Sequence, residues 1–140
     1  MINSAPFADL DAPTLYRILR LRSEVFVVEQ ACLFNNVDGH DEHAVLLWVD
    51  GTDGTVAATA RLLPGDEYEL GRIVTAPDAR DRGLASALVD AALDLVPPGV
   101  AVVLNAQSRL EAWYGRWGFA RTGPDIDIDG MPHVPMRLRR

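Results

Sequence analysis

The chain is predicted to fold as an α/β domain, a mixed and mostly antiparallel sheet with helices on both faces. Three observations predict it. Helical and strand-like stretches alternate along the whole sequence. Asp50-Gly51 and Asp53-Gly54 are turn signals between two apolar runs, the mark of an antiparallel hairpin. A helix beginning near Gly83 is followed by a short, fully apolar strand, Val100 to Leu104, which predicts a parallel βαβ crossover buried on both faces.

The elements follow in order. Asp11 is placed to cap a helix that tolerates Pro13 in its first turn. Leu15, Ile18, Leu19, Arg22, Val25 and Phe26 recur at helical spacing, and Arg22 alone breaks the apolar stripe. This predicts a helix from about Ala12 to Val28. Glu29 to Glu42 is polar, contains Asp38-Gly39, and reads as a long functional loop. His43 to Val49 and Thr55 to Leu63 are the hairpin strands, and Glu67 to Thr75 is a third strand. A helix then runs from Gly83 to Val96, with Leu84, Leu88, Ala91, Ala92 and Leu95 as its buried stripe, and Pro97-Pro98-Gly99 ends it. After the apolar strand comes a helix from about Ser108 to Trp117. Gly118 to Arg121 and His133 to Leu138 read as closing strands. Pro135 lies inside the last one, which predicts an edge position or a bulge there.

A chain of 140 residues with 49% hydrophobic and 24% charged residues is expected to form a single domain, 1–140. Met1 to Asp9 has neither a basic cluster nor an apolar core, so no signal peptide is expected. No apolar run reaches the ~20 residues of a membrane helix. One cysteine, Cys32, excludes an internal disulfide, and together these features predict a cytoplasmic protein. A net charge of -7 argues against nucleic acid as a partner. No His or Cys spacing suggests a metal site. All 13 basic residues are arginine.

Between Thr75 and the next helix lies Arg80-Asp81-Arg82-Gly83-Leu84-Ala85. A glycine at a strand–helix turn suits phosphate, because a helix N-terminus offers unpaired N–H groups and partial positive charge. Gly83 lets the backbone approach, Ala85 is small, and Arg80 and Arg82 add charge-assisted bonds. Neither GxxxxGK[ST] nor GxGxxG is present, which argues against a P-loop or Rossmann site. An ordinary αβ turn with surface arginines remains open on these six residues alone.

The Arg-x-x-Gly-x-Ala loop is followed by Asn105-Ala106-Gln107, then Trp113-Tyr114, then Trp117-Gly118-Phe119. This succession resembles the GNAT acetyltransferase superfamily. Leu21-Arg22, the run Val25-Phe26-Val27-Val28-Glu29-Gln30-Ala31-Cys32, Asp38-Gly39, Gly71-Arg72, Gly130 and Pro132-His133 are similar to its ElaA-type branch. The resemblance covers about Leu15 to Met136. Leu33 departs from it, standing where the branch usually has proline.

The resemblance implies a splayed parallel strand pair that holds acetyl-CoA, with no metal, and direct acetyl transfer to a primary amine of a small molecule, peptide or protein. It places the pyrophosphate on Arg80, Arg82, Gly83, Leu84 and Ala85. The pantetheine arm would bond backbone groups of Ile73 and Val74 on one side and Asn105 on the other. The N–H of Val74 would face the thioester oxygen. Tyr114 is the implied general acid, four residues before Gly118-Phe119. A general base is not legible: Glu29, His133 and His43 are candidates, and Asp38 and Glu42 could attract a cationic amine or simply be solvated. Cys32 is expected to pack as a small hydrophobe. A monomer or homodimer is expected. A non-catalytic acyl-CoA-binding module on the same fold is the competing reading.

Overall fold

The computed structural model describes residues 1–32 and 35–140, so Leu33 and its departure from proline lie outside the described residues. Among the described residues, eight strands form one sheet: β1 (Asn3–Pro6), β2 (Val45–Asp50), β3 (Val56–Leu63), β4 (Tyr68–Thr75), β5 (Val102–Gln107), β6 (Ala120–Arg121), β7 (Ile126–Ile128) and β8 (Met131–Leu138). The order is β1-β2-β3-β4-β5-β8-β6, with β7 also pairing β8. Among the described residues, β4 and β5 run parallel and the other pairs are antiparallel. The helices are α1 (Ala12–Arg22), α2 (Leu84–Asp94) and α3 (Glu111–Gly115).

Helix α1 covers one face. Ile18 and Leu21 pack with Leu46, Val56 and Val74 there. Asp11 caps it, accepting a 2.8 Å bond from the Thr14 amide. The predicted helix to Val28 continues past Arg22, but Ser23–Glu29 is a π-helix. The Gln30 amide reaches back five residues to the Val25 carbonyl at 2.8 Å. The wider turn keeps Val25 and Phe26 inside and leaves Val27 and Val28 exposed. A regular 3.6-residue period cannot signal this register change.

Helices α2 and α3 cover the other face. Leu88, Val89, Ala92 and Leu93 of α2 pack on Leu47, Ala60, Leu62 and Val102. Each fully buried Leu or Val contributes about 2 kcal/mol. The predicted stripe was right at Leu88 and Ala92. It missed Val89 and Leu93, and it wrongly included Leu95, which is exposed because α2 ends at Asp94.

Pro135 is not on an edge strand and makes no bulge. It sits in β8, which pairs β5 in unbroken register from Val102↔Leu138 to Gln107↔His133. Within a strand, a residue's N and C=O point the same way, and the Pro135 carbonyl accepts from the Thr122 amide. The missing N–H therefore faces the seam where β8 changes partner from β6 to β7. Strand β5 also runs longer than expected, so Asn105 lies within it rather than after its end. Among the described residues, no helix is long and apolar enough to cross a membrane.

Candidate active site

The site begins where β4 and β5 part. They pair only at Tyr68↔Val102 and Glu69↔Val103. Beyond those pairs the two strands enclose a cavity of about 310 Å³. Its walls include Glu69, Gly71, Arg72 and Ile73 from β4, and Leu104, Asn105 and Gln107 from β5. Phe26, Cys32, Tyr114 and His133 close it.

Strand β4 carries a bulge at this point. Thr59 pairs Val74 and Arg61 pairs Gly71, so two steps on β3 match three on β4. The extra residue is Arg72, at φ 53°, a left-handed conformation that non-glycine residues seldom adopt. The bulge brings Arg72 to the α1 side. There Nη2 donates to Asp38 Oδ2 at 3.0 Å and Nε to the Asn36 carbonyl at 3.3 Å.

Those contacts belong to a larger cluster. Arg22 donates to both Asp41 oxygens at 2.7 and 3.3 Å, and to Oδ1 and the carbonyl of Asn36 at 2.8 and 2.6 Å. Arg61 pairs with Asp38 at 2.8 and 3.0 Å and reaches Asp41 at 3.4 Å. The break that Arg22 makes in the apolar stripe of α1 is thus the anchor of the loop that follows. Burial alone would raise the Asp38 pKa, but the Arg61 and Arg72 guanidiniums hold it well below the usual carboxylate range. Asp38 is committed to these arginines, not to the solvated or amine-attracting role expected of it.

The phosphate-type loop has the expected form. Asp81 and Gly83 take φ of 65° and 72°, and no side chain caps the N-terminus of α2. A Cβ on Gly83 would meet nothing within 4 Å, so the first amides of α2 are open to a ligand. Arg82 folds back onto the Asp78 carbonyl at 3.2 Å. Arg80 reaches across to Glu29 with two bonds of 2.8 and 2.9 Å.

The candidate residues separate accordingly. Ile73, Asn105, Tyr114 and His133 line the cavity. Val74 does not: its side chain is in the α1-side core. The Ala76 amide bonds the Ala57 carbonyl at 2.7 Å, and an antiparallel ladder alternates, so Val74, opposite Thr59, turns its backbone to β3. The groups of Thr75 face the β5 side instead. His43 is exposed in a 3-10 turn away from the cavity. Glu29 is exposed and tied to Arg80, whose hydrogen bonds hold it below the usual carboxylate range and make it a weak base. We expect Glu29→Gln to strengthen acetyl-CoA binding a few-fold by releasing Arg80, with kcat little changed. A kcat loss of a hundredfold or more would restore Glu29 as the base.

Tyr114 is buried, edge-on to Trp113 at 4.8 Å and to Phe119 at 6.0 Å between ring centres. Burial pushes its pKa up to about 12. His133 Nδ1 is 2.9 Å from the Met131 carbonyl. A carbonyl only accepts, so Nδ1 donates this bond, and in the neutral tautomer the lone pair is on Nε2. Burial pushes the Cys32 thiol up, which keeps it protonated and fits a packing role. Glu69, Arg72 and Gln107 were missed as site residues. Gly71-Arg72 and Ala106-Gln107 stood in the sequence only as fragments of the family pattern.

The model of the family described as "Acetyltransferase (GNAT) domain" matches residues 21–140. A UPF0039 protein of Mycobacterium tuberculosis is 44% identical over 135 residues, covering 91% of this chain and 86% of its own length. Protein ElaA of Escherichia coli is 30% identical over 140 residues, covering 92% and 90%. The ElaA crystal structure superposes with a TM-score of 0.90. A structure titled as an acyl-CoA N-acyltransferase from Pseudomonas aeruginosa superposes with a TM-score of 0.91 at 36% identity, over 98% of this chain and 97% of that one.

Proposed function

The chain belongs to the GNAT acetyltransferase superfamily, on its ElaA-type branch, and on that premise we propose that it moves an acetyl group from acetyl-CoA to a primary amine by direct transfer in a ternary complex. One observation carries this reading: β4 and β5 part around a cavity, and β4 then leads on to the uncapped, glycine-led start of α2. A long cofactor with a phosphate end and a thin arm suits that shape. Acetyl-CoA supplies an activated thioester.

The remaining roles belong to residues of this chain. The amides of Gly83, Leu84 and Ala85 hold the pyrophosphate, and Arg80 and Arg82 turn toward it. The arm lies along Ile73 and Thr75 on one side and Asn105 on the other. The oxyanion donor moves from Val74 to Ile73, which lines the cavity. His133, in the tautomer with its lone pair on Nε2, takes the amine's proton.

Tyr114 donates to the departing sulfur. With the phenol pushed up to about 12, complete transfer to a thiolate of reference pKa about 8.5 is uphill by about 5 kcal/mol. Tyr114 therefore acts mainly as a hydrogen-bond donor to the sulfur as the C–S bond breaks, and the departing thiolate takes its proton from solvent. Tyr114→Phe is expected to lower kcat by about tenfold with acetyl-CoA affinity unchanged. The raised value also fixes the sign of the pH effect: the phenol keeps its proton from neutral pH to well above 10. No falling limb in kcat below that pH should vanish in Tyr114→Phe; one that did would contradict this environment for the side chain.

Calorimetric titration with acetyl-CoA, with ATP and NAD as controls, tests the cofactor. Thiol release in the presence of amines tests the transfer. Selective binding without thiol release from any amine would favour the non-catalytic module.

A further inference from the structure

We propose that the acceptor is the N-terminal α-amine of a peptide chain, and that the side-chain amides of Gln30 and Gln107 bind its first peptide group. This rests on the transferase reading above and names the substrate class of the same site.

The observation is a second cavity that adjoins the first. It has a volume of about 340 Å³, and Gln30, Gln107, Met131 and Pro132 are among its walls. Gln107 also lines the cavity between the parted strands. Met131 and Pro132 face the outer cavity, and His133, the next residue of β8, lines the inner one. The partition is a pair of amides: Gln107 Nε2 donates to Gln30 Oε1 at 3.2 Å. Arg109 Nη2 donates to Gln107 Oε1 at 2.8 Å, which orients that amide and leaves its NH2 toward Gln30. The Cys32 thiol donates to the same Gln30 oxygen at 3.6 Å.

The register sets this partition beside the chemistry. Gln107 and His133 are opposite each other at the end of the β5–β8 ladder, and opposite Cα atoms in such a ladder lie about 5 Å apart. In a peptide N-terminus a single Cα separates the amine from the first peptide group. An amine held at His133 therefore brings that group to Gln107. Its carbonyl accepts from the Gln107 NH2 and its N–H donates to Gln30 Oε1, so one amide–amide bond is exchanged for two of the same kind. An amine that lacks a peptide group makes neither. The chain beyond runs into the outer cavity, whose charged walls are Glu29, bonded to Arg80, and Arg109, of opposite sign. Such a balanced wall suits a neutral backbone. An α-amine also asks less of a base: at pH 7 about one in ten is already neutral, against about one lysine amine in 2,500.

The test is an acceptor screen read by thiol release from acetyl-CoA. One set is tripeptide amides that end in Ala-Ala and carry each standard amino acid first. The second is the matching amino-acid methyl esters, which keep the α-amine and the carbonyl but lack the N–H and the chain beyond. The third is Nα-acetyl-lysine methylamide and putrescine, whose amines stand on alkyl stems. The best tripeptide should exceed its ester and both alkyl amines by at least about tenfold in kcat/KM. Gln30→Leu should erase the advantage over the ester through KM, with kcat within a few-fold, and Gln107→Leu should do the same. Calorimetry on both variants should show acetyl-CoA affinity close to that of the wild type, which separates acceptor recognition from misfolding. An alkyl amine used as well as the best tripeptide would overturn the assignment. So would an ester equal to its tripeptide, turnover of no set by protein that binds acetyl-CoA normally, or a tripeptide preference that survives in either folded variant. Failure of the wild-type protein to bind acetyl-CoA would instead overturn the transferase reading itself.

Discussion

Replacing Gly83 with tryptophan is expected to abolish acetyl-CoA binding while the protein stays folded. Gly83 is at φ 72°, and nothing lies within 4 Å of where its Cβ would stand. A Cβ there meets no part of the chain, and the indole beyond it would stand over the amides of α2, where a phosphate must approach. The left-handed backbone would cost about 1–2 kcal/mol for an L-residue, a fall in Tm of several degrees. Affinity should fall more than about a hundredfold, since one blocked phosphate contact site forfeits several charge-assisted bonds. Gly99→Ala is the control. It has φ 83° and equally open surroundings at the end of the α2–β5 connection. It should show similar strain and normal binding. A folded Gly83→Trp that titrates like the wild type would show that the phosphates lie elsewhere.

Arg22→Met is expected to cause the largest loss of stability of any substitution considered. Methionine fills most of the volume but leaves Asp41 with only the 3.4 Å contact to Arg61, strips Asn36 Oδ1 of its donor, and leaves the Asn36 carbonyl with only the 3.3 Å bond from Arg72. Breaking a buried ion pair from one side costs about 3–5 kcal/mol. For a chain of this size that is a fall in Tm of about 10–20 °C in a thermal melt. Arg22→Lys should recover only part of it, because one ammonium cannot reach two acceptor groups as a planar fork does. The exposed Arg20–Glu24 pair, one turn from the same helix end, is the contrast: Arg20→Ala should change little. A melt of Arg22→Met within a few degrees of wild type would mean that the cluster is not an anchor.

The parts of this fold that were legible are those specified by neighbouring residues. The β2–β3 hairpin follows from its Asp-Gly turns, α1 from Asp11, and the crossover to β5 from an apolar run after a helix. What was missed depends on distant partners. Asn3–Pro6 is short, polar and ends in proline, and it becomes β1 only because β2 offers it an edge. The bulge at Arg72 depends on pairing with β3, so no pattern within β4 announces it. Arg22 was visible as an interruption, yet its partners lie 14 and 19 residues further on. The same division holds at the site. The phosphate-type loop could be read because it is contiguous. The face to which Val74 turns its backbone could not, because an inserted residue upstream resets the alternation.

The parting of β4 and β5 also bears on how this protein avoids sticking to itself. From Leu70 to Thr75, β4 has a strand neighbour on one side only. That is a raw sheet edge in the middle of a sheet, and raw edges invite foreign strands and then fibres. Here the opening narrows to nothing at Glu69↔Val103, and Phe26, Leu110 and Tyr114 stand over it. An unfolded segment with side chains on both faces would have to displace those residues to lie in the slot. The geometry that suits the slot to a cofactor also guards against aggregation.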